Sequence, residues 1–146
     1  MPSFGHWVYT ADRDATIEAY SQIERGGADR CDCAWCRNFR KVRPQVFPSE
    51  FLALLGVLGI DPNKDAEVYH IARLAPGRHY YGGWYHFVGN LDETGDFPPI
   101  HFGTGFTTWM SQAAAPRLPS LKGLPVVELA FSCETVPWLL DEPEGD

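Results

Sequence analysis

Three of the four cysteines in this sequence stand within six residues, at Cys31, Cys33 and Cys36. This C-x-C-x-x-C spacing enters a predicted helix, so that one turn of chain can gather three thiolates. Tetrahedral zinc takes four nitrogen or sulfur ligands, so a further residue must come from elsewhere in the chain. The inward face of the last predicted strand offers Cys133, and His6 is the reserve ligand. The spacing therefore predicts a zinc site formed by Cys31, Cys33, Cys36 and Cys133.

The same cysteines allow two other interpretations. A thiol redox protein would use Cys33 and Cys36, because a helix N-terminus lowers the pKa of a thiol. Thioredoxin-like motifs, however, follow a strand of a βαβ unit, and the segment before Cys31 is polar and glycine-rich. In the third interpretation the thiols are inert small apolar groups in a reducing cytosol. The spacing favours metal binding.

A second candidate site lies on the aromatic segment 79–89. If this segment pairs with 100–108 as a hairpin, residues whose numbers sum to 187 face each other. His86 then faces His101 and Trp84 faces a glycine, so these three side chains form a possible ligand-binding face. The alternative is that a helix covers Trp84 and the glycines make room for its ring, because Trp is usually well buried.

Sequence motifs of common enzymes are missing. The chain has no glycine-rich phosphate loop, no G-x-S-x-G elbow and no H-E-x-x-H. Nor does any pair of carboxylates have a spacing that indicates acid–base catalysis. We therefore expect a non-enzymatic binding or interaction domain whose partner is a protein or a small molecule.

The charge is uneven along the chain. Residues 1–43 carry seven basic and six acidic groups, a net of +1, and residues 44–146 carry five and thirteen, a net of −8. This acidic balance disfavours nucleic acid, whose phosphates need clustered Lys and Arg. It also allows a third function, that of an acidic inhibitor similar in charge to bacterial immunity proteins, which masks a basic partner.

The elements that must position these residues are two helices and a set of strands. Apolar residues recur at helical spacing in 33–43, which Pro44 is expected to end, and again in 49–58. Four extended segments follow, at 67–74, 79–89, 100–108 and 126–133. The segment 14–24 fits a strand or a short helix. We predict a single α+β domain over 1–146, with two N-terminal helices packed on a mostly antiparallel sheet and a frayed acidic tail at 141–146.

Three motifs in the chain resemble those of a group of small bacterial proteins. They are C-D-C-A-W-C-R-N-F at 31–39, Y-G-G-W-Y-H-F at 81–87 and F-S-C at 131–133. The resemblance spans residues 31–140 and implies a bacterial source and a single domain. It implies no mechanism.

The N-terminal residues carry no pattern of a secretory signal. Residues 1–6 lack a basic segment followed by an apolar one, and the longest apolar stretch, 51–60, is too short to span a membrane. These features predict a cytoplasmic protein that does not bind membranes.

Overall fold

The computed structural model describes residues 2–92, 97–112 and 116–144. Within them, seven strands form one antiparallel sheet and four α-helices pack against it, together with a 3-10 turn at Pro119–Leu121. The strands are β1 Ser3–Phe4, β2 Trp7–Ala11, β3 Glu67–Ala75, β4 Arg78–Leu91, β5 Ile100–Phe102, β6 Phe106–Gln112 and β7 Val126–Pro137. The helices are α1 Arg13–Ser21, α2 Gly27–Arg30, α3 Ala34–Val46 and α4 Ser49–Leu58.

The α+β class is confirmed, but the predicted arrangement of two N-terminal helices on a sheet is wrong. The strands β1 and β2 precede all the helices, and α1 and α2 precede the two that were predicted. The two early strands are five residues or shorter, which leaves too few alternating positions for a clear pattern. The undecided segment 14–24 contains most of α1.

The helices that carry apolar spacing are largely as predicted. Helix α4 covers Ser49–Leu58 and ends at Gly59, whose φ of 82° is the left-handed cap that glycine adopts most readily. Helix α3 begins at Ala34 but continues through Pro44 to Val46. The predicted end at 43 is therefore three residues too early. Pro44 has no N–H to donate within the helix, but the loss of this one hydrogen bond does not end α3. No helix in the described ranges is long and apolar enough to cross a membrane.

The sheet is built around β4, and its strand order is β1-β2-β4-β7-β6-β5, with β3 also on β4. The predicted strand 100–108 is two strands, because Gly103 and Gly105 take positive φ values of 61° and 82° and turn the chain. The predicted hairpin between 79–89 and 100–108 is therefore wrong. Strand β7 separates β4 from β6, and β5 lies beyond β6, so that His86 faces Glu128 while His101 faces Thr107.

Aromatic side chains fill the space between the sheet and helices α3 and α4. The ring centroids of Phe51 and Phe106 are 4.9 Å apart, and those of Phe47 and Phe131 are 5.1 Å apart. Phe51 and Phe131 are fully buried. Full burial of such a side chain contributes roughly 1.5–3 kcal/mol, so this cluster is a main source of stability.

Helix α1 completes one edge of β4. Strand β3 pairs with the first half of this edge and β2 with its end, which leaves residues 85–88 between them. The Tyr20 hydroxyl donates to the His86 carbonyl at 2.7 Å and accepts from the His86 N–H at 3.3 Å. The Thr16 hydroxyl accepts from the Val88 N–H at 3.0 Å. Two hydroxyls thus replace a strand where the sheet has none.

Candidate metal centre

The loop between α2 and α3 brings three cysteine sulfurs together. The Sγ atoms of Cys31, Cys33 and Cys36 all lie within 4.8 Å of one another, and those of Cys31 and Cys33 are 3.2 Å apart. All three are free thiols. Three predicted ligands of the metal site are therefore close enough to bind one ion.

The start of α3 sets this geometry. Cys33 is the N-cap residue, and its Sγ accepts a hydrogen bond from the Cys36 N–H at 3.4 Å. The first N–H groups of a helix carry partial positive charge, which stabilises a negatively charged sulfur placed against them. The C-x-C-x-x-C spacing thus places one sulfur at the cap and another in the first turn.

Two arginines of α3 hold the backbone of the cysteine loop. Arg40 donates to the carbonyls of Ala28 and Cys31, both at 2.8 Å. Arg37 donates to the Asp32 carbonyl at 3.1 Å and pairs with Glu142 of the C-terminal segment. These contacts tie the end of α2 and the first two residues of the loop to α3.

The three thiols have different environments. Cys36 is buried, Cys31 is half-buried and Cys33 is exposed. Hydrogen bonds from Cys36 and Cys33 lower the pKa of the Cys31 thiol, whereas burial raises the pKa of the Cys36 thiol. A metal ion at this position would displace the remaining protons, because only thiolates ligate zinc.

The predicted fourth ligand does not lie with the other three. Cys133 is buried on β7, opposite Tyr81, and its Sγ lies 3.4 Å from the Thr135 hydroxyl. The reserve ligand His6 is exposed, and its ring stacks on Phe97 at 5.7 Å. Within residues 2–92, 97–112 and 116–144, no other His, Cys, Asp or Glu joins the three-cysteine group.

Of the three residues of the possible ligand-binding face, Trp84 and His86 lie two residues apart on β4, whereas His101 lies on β5, which is separated from β4 by β7 and β6. His86 is buried, and neither ring nitrogen has a hydrogen-bond partner; its Nε2 lies 3.7 Å from a Glu128 carboxylate oxygen. Trp84 donates from Nε1 to the Pro116 carbonyl, whereas the His101 side chain is exposed. Gly82, two residues before Trp84, makes room for the ring of Tyr69, because a Cβ on Gly82 would lie 2.8 Å from that side chain.

A hydrogen-bonded chain that the sequence analysis missed lies across the β3–β4 hairpin. His79 is fully buried; its Nδ1 lies 2.8 Å from His70 Nε2, and its Nε2 lies 2.9 Å from Glu144. The His70 ring stacks on Trp35 at 4.7 Å, with the two planes 4° apart. The predicted strands 67–74 and 79–89 gave no sign of this chain, because His70 faces Tyr81 and His79 faces Arg73 across β3 and β4, and Glu144 comes from the C-terminal segment.

Comparisons of the chain with protein-family models, with curated proteins and with solved structures find no match. The functional assignment therefore rests on the site itself. The structure defines a small α+β domain in which Cys31, Cys33 and Cys36 are near enough to one another to bind a metal ion.

Proposed function

We propose that this chain is a non-enzymatic binding domain in which Cys31, Cys33 and Cys36 hold a zinc ion. The observation that carries the proposal is the group of three Sγ atoms within 4.8 Å at the start of α3. Thiolates are soft ligands, and zinc is the common metal that such sites select.

The zinc ion would fix the start of α3, which contacts two other parts of the domain. The Tyr81 hydroxyl of β4 donates to the Trp35 carbonyl at 2.7 Å. Arg37 of the same helix binds Glu142 in the C-terminal segment. The Trp35 side chain is 37% exposed, which is large for a Trp. A metal ion would thus hold an exposed aromatic side chain in place, as a binding surface needs.

Metal analysis of the purified protein tests this proposal. The chain is produced without a metal-binding tag, and zinc per chain is measured by elemental analysis. We expect stoichiometric zinc in the wild type and its loss in Cys33→Ser. Serine is a good N-cap residue, so this variant keeps the helix start while it removes the sulfur.

The matched control is Cys133→Ser, which changes a cysteine outside the group. We expect it to retain zinc. A wild-type protein that is free of metal and that forms a reversible Cys33–Cys36 disulfide would contradict the proposal and support a redox function. A metal-free protein with four inert thiols that binds a basic partner in a salt-sensitive manner would instead support the acidic inhibitor.

A further inference from the structure

The cysteine site has three protein ligands rather than four. Structural zinc sites are closed by four protein ligands, whereas zinc sites with three protein ligands keep one position for water or another small ligand. Cys133 contacts Thr135, and within the described ranges only Cys31, Cys33 and Cys36 form the group. An ion held by these three sulfurs therefore has one coordination position left over.

The exposure of the three sulfurs shows how an outside ligand would reach this position. Cys36 lies against the core, and Cys33 faces solvent. The neighbouring Asp32 side chain is 94% exposed, and its carboxylate lies 4.0 Å from Arg37 and 3.7 Å from Arg40. A small molecule can therefore approach the ion beside Cys33 without any rearrangement of the sheet or of α3.

The charge and softness of the site select the class of ligand. A zinc ion with three thiolates carries one net negative charge, and Arg40 lies beside it, because its NH1 atom is 2.8 Å from the Cys31 carbonyl. The same guanidinium lies 3.7 Å from the Asp32 carboxylate, so it offsets only part of the charge that a further anionic ligand would add. A metal ion that three thiolates select is one that favours soft ligands, so a fourth sulfur ligand suits it.

We propose that the ion held by Cys31, Cys33 and Cys36 keeps one exchangeable coordination position and binds there the thiolate of a small-molecule thiol. This inference rests on the proposed zinc site. In the exchange, the bond from the ion to a water oxygen breaks and a bond to the thiol sulfur forms. The thiol proton passes to solvent, and no electron is transferred.

Cobalt(II) in place of zinc makes the exchange visible. The full chain is loaded with cobalt(II) under a phosphine reductant, so that no thiol is present, and is then titrated with 2-mercaptoethanol. We expect the sulfur-to-cobalt charge-transfer absorbance to rise by about one third and to saturate, because four thiolates replace three. Cys133→Ser should give the same titration, since its sulfur lies outside the site.

The outcomes separate this inference from the function it rests on. Cobalt that binds but whose spectrum does not respond to 2-mercaptoethanol would overturn the exchangeable position and leave the metal site standing. A response to imidazole without one to the thiol would overturn the assignment to thiolates. A chain that binds neither cobalt nor zinc would overturn both the metal site and the inference.

Discussion

Asp65 is a fully buried carboxylate that ties α2 to the start of β3. Its side chain accepts a hydrogen bond from the Ala28 N–H at 3.1 Å and lies 3.5 Å from the Arg43 guanidinium. The same guanidinium also pairs with the Asp29 carboxylate at 2.9 Å. Burial raises the pKa of Asp65 to about 6, because the loss of hydration outweighs the attraction of Arg43. This carboxylate supports α2, whose end leads directly into the cysteine loop.

The raised pKa of Asp65 predicts the pH dependence of stability. A carboxyl group whose pKa rises on folding stabilises the fold fully below its unfolded value and loses that contribution as pH rises through its folded value. We expect the free energy of unfolding of the wild type, relative to Asp65→Asn, to fall by about 2–3 kcal/mol between pH ~4 and pH ~7. Urea unfolding at several pH values measures it. Parallel pH profiles for the two proteins would contradict the assignment.

At the scale of elements, the edge of β4 depends on α1. The His86 N–H and carbonyl are buried and are paired only through the Tyr20 hydroxyl among the side chains described. Tyr20→Phe leaves both groups without a partner, and an unsatisfied buried group costs about 1–3 kcal/mol. Because two groups lose their partner, we expect urea unfolding to show a loss of about 2 kcal/mol or more.

The control for Tyr20→Phe is Tyr69→Phe, which removes a hydroxyl from a side chain that is 42% exposed. Its free energy of unfolding should stay within about 0.5 kcal/mol of the wild type. Equal losses in the two variants would mean that the Tyr20 hydroxyl does not replace a strand partner.

Local sequence patterns predicted elements far better than they predicted pairing. Helix α4 and the start of β7 at Val126 follow from apolar spacing and alternation, which are properties of a few neighbouring residues. The partner of His86 depends on where the chain returns to the sheet. Gly103 and Gly105 end β5 after three residues, so β6 pairs with β7 and separates β5 from β4.

The candidate site follows the same rule. Cys31, Cys33 and Cys36 are neighbours in sequence, so their spacing alone predicted that the sulfurs would meet. The predicted contribution of Cys133 required knowledge of tertiary contacts. So did the chain from His70 to Glu144, because its two ends are joined by packing and not by any local pattern.

At the scale of the whole molecule, the start of α3 joins the cysteine site to the C-terminal segment. The buried Asn38 side chain donates to the Pro137 carbonyl at 3.0 Å and accepts the Leu139 N–H at 2.8 Å. Arg37 binds Glu142 from the same helix turn. The start of α3 therefore binds residues 137–142. Phe51 and its neighbours pack at the end of α3 and in α4.

This division predicts that the domain stays folded when its metal is removed. Classical zinc fingers unfold without zinc because they have little core, whereas this chain completely buries Phe51 of α4, Tyr85 of β4 and Phe131 of β7, none of which belongs to the cysteine loop or to α3. After chelation we expect an unchanged far-ultraviolet circular dichroism spectrum and a cooperative thermal transition. Hydrogen exchange should accelerate in residues 31–38 and 137–142 and stay slow in β4 and β7. Faster exchange throughout β4 would show instead that the ion supports the core itself, as in a zinc finger.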